Sequence, residues 1–176
     1  MMCLSFLAVG YVFVGSLKPN ARSEQEIPYF EISWADLTTI SEGEPLEEQG
    51  LDGLVVVLKP TQDQLDEISS LDPHVFDSSS NAWFDDLGIY IYWKVSTGPG
   101  CVLRHAPKGF FESKPKWPGG YYDPCHDYSY DYAGRRLSSY DYSAFGYTRE
   151  VENLRVPGVE VRDGKWVRIY GRFRRS

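Results

Sequence analysis

Residues 119–135, GGYYDPCHDYSYDYAGR, form the stretch of the sequence that decides the fold. A glycine pair at 119–120 makes a turn, and the aromatic pair at 121–122 begins a strand. A Pro-Cys-His corner at 124–126 separates this strand from a second short strand at 128–130. The pattern predicts two short strands that present a corner carrying one cysteine and one histidine.

The composition of the chain favours one β-rich domain. Its 176 residues are 42% hydrophobic and 15% aromatic, which is enough for one compact domain with a core. Eleven prolines, sixteen glycines and thirteen tyrosines are typical of a β-rich, loop-rich domain. The net charge of -7 argues against nucleic acid as a partner.

The N-terminal segment carries no charge over its first 17 residues. A helix of that length would span about 25 Å, close to the thickness of a bilayer core. No basic residue precedes the run, whereas a secretory signal needs a basic start. We expect a transmembrane anchor over 1–18 and a tether over 19–27. A removed signal peptide and a buried core helix are the alternatives.

The rest of the chain predicts strands around one short helix. Thr61 and Gln64 have the spacing of a capping box, which starts a helix that Asp72-Pro73 ends. The acidic stretch 35–50 is predicted to be irregular. Five further strands are predicted, the third apolar on both faces and the last two joined by Asp163-Gly164: 29–33, 53–58, 88–95, and the hairpin 159–162 with 165–170.

Residues 119–135 resemble the second cluster-binding box of the Rieske iron–sulfur protein of the mitochondrial cytochrome bc complex. That box reads roughly G-G-aromatic-aromatic-C-P-C-H-G-S-x-Y-D-x-x-G-R. Residues 13–21 resemble the end of the Rieske membrane anchor. The resemblance implies a mostly β, Rieske-like head of two small stacked antiparallel sheets over 28–176, preceded by the transmembrane helix. Its two box loops would be 96–105 and 119–135.

The residues at the cluster-ligand positions depart from the family. A Rieske cluster is held by two cysteines and two histidines. The resemblance places Ser96, Gly98, Asp123 and His126 at those four positions, so three ligands are lost. Serine and aspartate are hard donors that replace thiolates poorly. We therefore expect no cofactor and no metal.

The resemblance also implies a disulfide between Cys101 and Cys125, which match the paired cysteines of the family. Such a bond requires a compartment that permits disulfides. A rival interpretation uses Cys101, His105, Cys125 and His126 as an alternative set of cluster ligands. Another places a single metal ion on His105, Asp123 and His126. The simplest is that these are ordinary polar loop residues, with His126 donating to a backbone carbonyl or to Asp123.

A tyrosine-rich insertion stands where the family has a proline loop that shields the cluster. We expect its aromatic side chains to be interface anchors: Tyr140, Tyr142, Phe145 and Tyr147.

These features together predict a non-catalytic structural subunit of a respiratory complex in the mitochondrial inner membrane, with its head in the intermembrane space. Its expected partners are other subunits and inner-membrane lipid. The cytochrome bc complex is the first candidate host, and cytochrome oxidase or a supercomplex contact is the second. The alternatives are a redox-active quinol–cytochrome c reductase subunit with a non-standard metal site, and a secreted binding domain with a cleaved signal.

Overall fold

The computed structural model describes residues 29–50, 53–80, 82–98, 100–113, 116–138 and 152–171. Ten strands and two α-helices lie in these ranges. In chain order they are β1 (Tyr29–Ser33), α1 (Trp34–Thr39), β2 (Leu46–Gly50), β3 (Gly53–Leu58), α2 (Gln62–Ser70), β4 (Trp83–Phe84), β5 (Ile89–Trp93), β6 (Arg104–Ala106), β7 (Gly120–Tyr122), β8 (Ser129–Tyr130), β9 (Gly158–Arg162) and β10 (Trp166–Tyr170). The predicted anchor and tether lie outside the described residues. Neither of the described helices has the length and apolar content needed to cross a bilayer.

The central sheet has the strand order β2-β3-β5-β4, with antiparallel pairing throughout. Every residue of β5 is buried. Its alternation sends Ile91 and Trp93 to one face and Tyr90 and Tyr92 to the other. The prediction of a central strand that is apolar on both faces is confirmed.

Each face of the central sheet is covered by another sheet. On one face, Ile32, Val167 and Ile169 of the β1-β10-β9 sheet pack against the odd-numbered residues of β5. On the other face, aromatic residues of the β6-β7-β8 sheet, including Tyr121 and Tyr130, pack against the even-numbered ones. The molecule therefore has three antiparallel layers, and the mostly β class that the sequence predicts is observed.

Two local predictions are confirmed in detail. Thr61 Oγ1 accepts from the Gln64 backbone N–H at 3.2 Å, and Gln64 Oε1 accepts from the Thr61 N–H at 2.9 Å, so the capping box forms and α2 begins there. Asp163 and Gly164 have φ values of 54° and 59° between β9 and β10. Two consecutive positive φ values are what the favoured two-residue hairpin turn requires.

Two other predictions are wrong. The stretch 35–50 is not irregular, because Ser33 caps α1 through the Asp36 N–H and β2 pairs with β3. β2 has the polar sequence LEEQG since it lies at the edge of its sheet, where one side of the strand faces solvent. The described residues consequently hold two α-helices and three sheets, where one helix and two sheets were expected.

Gly120, the first residue of β7, should tolerate replacement poorly. It has φ 136°, and a Cβ there would lie 2.2 Å from the Tyr130 carbonyl oxygen. Gly109 also has a positive φ, 82°, but a Cβ there would meet nothing within 4 Å. We expect Gly120→Ala to lower the free energy of unfolding by at least ~3 kcal/mol, since a backbone clash adds to the strain.

The matched change Gly109→Ala should cost only about 1–2 kcal/mol, from its backbone conformation alone. Urea unfolding followed by circular dichroism would measure both values. Equal losses in the two variants would contradict the close approach of β7 to β8.

Candidate functional site

The two predicted box loops meet at one end of the molecule. β6 and β7 pair antiparallel, with Arg104 opposite Tyr122. Cys101 precedes the first of these residues by three positions, and Cys125 follows the second by three, so the strand pairing brings the cysteines together. Their sulfurs are bonded, with Cα atoms 6.3 Å apart. The disulfide expected from the resemblance is present.

The Asp123 side chain lies inside the second loop and is fully buried. Its Oδ1 accepts hydrogen bonds from the backbone N–H groups of Cys125, at 2.8 Å, and His126, at 3.1 Å. Its Oδ2 lies 3.1 Å from His126 Nδ1, with the imidazole donating. The carboxylate is thereby satisfied by its own loop, which is the simplest of the interpretations that the sequence left open for His126.

Tyr128 fills the interior behind this loop. Its ring is buried and stacks on the His126 imidazole, with centroids 5.9 Å apart and planes 20° from parallel. On Tyr128 lies the guanidinium of Arg136, whose Cζ is 4.4 Å from the ring centroid. Arg136 is itself buried and donates to the Leu137 carbonyl oxygen at 2.9 Å. His126, Tyr128 and Arg136 form a stack that closes the base of the loop.

The first loop is fixed by Ser96, which is buried. Its backbone N–H donates to the Cys101 carbonyl oxygen at 2.9 Å, and its hydroxyl lies 3.3 Å from the hydroxyl of Tyr130. Gly98 lies in the turn of this loop and is exposed. Since glycine has no side chain, this position has no ligand to offer.

A two-iron, two-sulfur cluster does not fit the residues that the resemblance places around it. The Ser96 hydroxyl already has a hydrogen-bonding partner in Tyr130, and the Asp123 oxygens accept from the loop that a cluster would have to enter. Both loop cysteines are in the disulfide. His126 is therefore the one imidazole at a ligand position, against the four ligands that a Rieske cluster needs.

His105 lies apart from this group. Its ring packs against Tyr121 and Tyr132, and its Nε2 is 3.2 Å from the Tyr132 hydroxyl. Burial lowers the pKa of His105 below its ordinary value. Within the described parts of the chain, the set His105, Asp123 and His126 is not among the groups whose ligand atoms come close enough to share an ion.

A different trio does have this proximity. The sulfurs of Cys101 and Cys125 and a carboxylate oxygen of Asp123 all lie within 4.8 Å of one another. Sequence reasoning paired the two cysteines and treated Asp123 separately, so it missed the combination. The signal available in the sequence was the spacing of Asp123 and Cys125, which places a carboxylate two residues before a thiol.

The end of the second box attaches the loop region to α2. Arg135 donates through Nε to Asp131 Oδ2 at 2.7 Å and reaches Asp72 and the Ile68 carbonyl oxygen with its other nitrogens. Asp131 Oδ1 accepts from the backbone N–H groups of Ala133 and Arg135. Burial raises the pKa of Asp131, and the neighbouring Arg135 opposes that shift. Asp131 and Arg135, at the end of the second box, therefore stabilise the fold.

The expected interface anchors Tyr140, Tyr142, Phe145 and Tyr147 lie outside the described residues, and their role stays a prediction.

A comparison with protein-family models finds no match for the chain, and a comparison with curated proteins finds none either.

The state of the cysteines can be checked by alkylation. In the absence of reductant, iodoacetamide should modify neither Cys101 nor Cys125, because both sulfurs are bonded to each other. Peptide mass spectrometry would detect the modification, and treatment with dithiothreitol should make both residues reactive. Modification of both cysteines without reductant would contradict the disulfide.

Arg135→Met should destabilise the fold strongly. It leaves the Asp131 carboxylate buried without its cation, which typically costs about 3–5 kcal/mol. The same replacement at Arg104, an exposed residue of β6, should leave the urea midpoint nearly unchanged. Similar midpoints for the two variants would show that the contacts of Arg135 do not stabilise the fold.

Proposed function

We propose that the protein is a non-catalytic, cluster-free, Rieske-like structural subunit of a respiratory complex in the mitochondrial inner membrane. Its head would lie in the intermembrane space and contact other subunits, and its anchor would contact inner-membrane lipid. The cytochrome bc complex is the first candidate host, because the anchor and tether that the sequence resembles belong there. Cytochrome oxidase or a supercomplex contact is the second.

The main support for this proposal is the set of contacts made by the residues at the four cluster-ligand positions. Ser96 bonds to Tyr130, Gly98 has no side chain, and Asp123 accepts from its own loop and from His126. These contacts stabilise the loops without a cluster. A head with the Rieske arrangement of loops and no redox centre has no electron to carry, so a structural role remains for it.

The disulfide supports the same proposal in two ways. It requires a compartment in which disulfides persist, and the intermembrane space is such a compartment while the matrix is not. It also makes both loop thiols unavailable to a metal. The redox-active alternative used those cysteines or the His105 site, and neither arrangement is favoured by the observed contacts.

The tip formed by the two loops carries apolar surface next to the disulfide. Val102 is 53% exposed, and Pro124 and Cys125 are exposed beside it. Exposed apolar residues at the end of a rigid element are a suitable contact for a neighbouring subunit. We infer that the tip is fixed against a neighbour, so that the head holds the complex together and does not shuttle.

Replacing Val102 by glutamate tests this contact. The charged side chain would have to be desolvated on docking, so Val102→Glu should lower the amount of assembled complex severalfold. The matched control is Val161→Glu, at a valine that is 44% exposed on β9, in the sheet on the opposite face of the molecule. The control should assemble normally. Native gel electrophoresis of mitochondrial membranes, with mass spectrometry of the band that contains the chain, would measure assembly and identify the host.

Turnover separates a structural role from a redox role. The complex that does assemble with Val102→Glu should turn over at the parent rate, and so should a complex containing His126→Ala. Full assembly combined with loss of turnover in His126→Ala would contradict the proposal and favour the metal-site alternative. An electron paramagnetic resonance signal of an iron–sulfur cluster in the purified chain would also contradict it.

A further inference from the structure

The two loops bring three potential metal ligands into contact range. Cys101 Sγ, Cys125 Sγ and a carboxylate oxygen of Asp123 lie within 4.8 Å of one another. Two thiolates and a carboxylate are ligand types that zinc accepts, and tetrahedral zinc with Zn–S bonds of about 2.3 Å holds its sulfurs about 3.8 Å apart. The three atoms are therefore near enough to share one zinc ion if the sulfurs separate from their bonded distance of 2.01 Å when the bond is reduced.

The loops have means of keeping this arrangement without the disulfide. The first is held by the bond from Ser96 N–H to the Cys101 carbonyl oxygen and by the bond from Leu103 N–H to the Lys94 carbonyl oxygen. The second is closed by the bond from Asp123 N–H to the Tyr128 carbonyl oxygen, at 2.7 Å. The pairing of β6 with β7 joins the two loops. None of these contacts involves a sulfur atom, so none of them requires the S–S bond.

Asp123 also retains the capacity to bind a cation. A carboxylate offers about four acceptor sites on its two oxygens. The loop uses three of them, two on Oδ1 for the N–H groups of Cys125 and His126 and one on Oδ2 for the His126 ring. Counting the contacts of the described residues, one site on Oδ2 remains. The hydrogen bond from His126 fixes the orientation of the carboxylate, as the outer partners of metal ligands commonly do.

We propose that the dithiol form of this protein binds one zinc ion through Cys101, Cys125 and Asp123, with water as the fourth ligand. Formation requires a thiol reductant: the S–S bond accepts two electrons from an external dithiol, which becomes a disulfide, and two cysteine thiols result. Each thiol then releases a proton to solvent as it binds the metal. An external disulfide reverses the sequence: it accepts two electrons from the two thiolates and two protons from solvent to become a dithiol, the S–S bond of the protein forms again, and the ion is released. Cys125 is exposed, so its sulfur is accessible to a reductant.

This site differs from the metal site considered from the sequence, because it uses the cysteines and omits His105. It is also independent of the proposed structural role. The disulfide form remains a head without a metal, and zinc binding would belong to the form that precedes oxidation or follows reduction. Failure of one proposal therefore leaves the other standing.

Cobalt and zinc titrations of the full chain, purified in mild detergent, test the proposal. The reduced chain should bind one equivalent of Co²⁺, with thiolate-to-cobalt charge-transfer absorption in the near ultraviolet, and Zn²⁺ should displace it. The disulfide form should show no such absorption. Circular dichroism of the reduced chain without metal should match that of the oxidised chain. Unfolding on reduction, or equal metal binding by both forms, would overturn the proposal.

Two pairs of variants identify the ligands. Asp123→Asn keeps an oxygen that can accept from the loop N–H groups, and it should weaken Co²⁺ binding by at least about tenfold. The control Asp127→Asn makes the same change in the same loop, at a residue with φ 57° that asparagine tolerates. It should bind like the parent. Equal weakening by the two variants would show only a general charge effect and would rule out Asp123 as a ligand.

Cysteine variants complete the test. The double variant Cys101→Ser with Cys125→Ser should lose the charge-transfer absorption, whereas Cys3→Ser, which removes the third cysteine of the chain, should retain it. Loss of the signal in Cys3→Ser would assign the metal to a site elsewhere and overturn the proposal.

Discussion

Burial of β5 on both faces is the constraint on which the rest of the structure depends. A strand whose five residues are all buried requires a layer on each side, and the outer sheets supply them. The Tyr92 hydroxyl donates to the Tyr132 carbonyl oxygen and so ties the second box to this strand. The first loop leaves β5 directly after Trp93. The first loop therefore starts from this strand and the second box is bonded to it, and the loops meet because their flanking strands pair.

Side chains of the described loops accept hydrogen bonds from the loops' own backbone N–H groups. Loop N–H groups need acceptors when they are withdrawn from water. Asp123 supplies an acceptor from within the loop, and Asp131 does the same at the turn that follows. The stack of His126, Tyr128 and Arg136 then occupies the interior. Asp123 and Tyr128 both contribute to these contacts, Asp123 by accepting from the loop and Tyr128 by stacking between His126 and Arg136.

How well an element can be predicted from the sequence depends on whether the interactions that form it are local or come from distant residues. The capping box of α2, the Asp163-Gly164 turn and the alternation of β5 are local patterns, and each was predicted with nearly the right bounds. β2 was missed because an edge strand with one solvent-facing side needs no apolar run, and its partner β3 decides its structure. The position of Arg136 over Tyr128 could not be predicted for the same reason, since a buried arginine depends on which rings surround it.

The candidate site also combines features that are local in the sequence with features that depend on distant residues. The resemblance predicts the Cys101–Cys125 bond, which the structure contains. The hydrogen bonds of Asp123 are local, because an aspartate placed before a Pro-Cys-His corner can accept from the N–H groups that follow it. No pattern in the sequence predicts the distance between the disulfide and the Asp123 carboxylate. Separate constraints hold them: backbone hydrogen bonds close each loop, and the disulfide couples one loop to the other. Each loop has backbone hydrogen bonds that do not involve the sulfurs, so we expect cleavage of the S–S bond to change the chemistry at the tip more than it changes the fold.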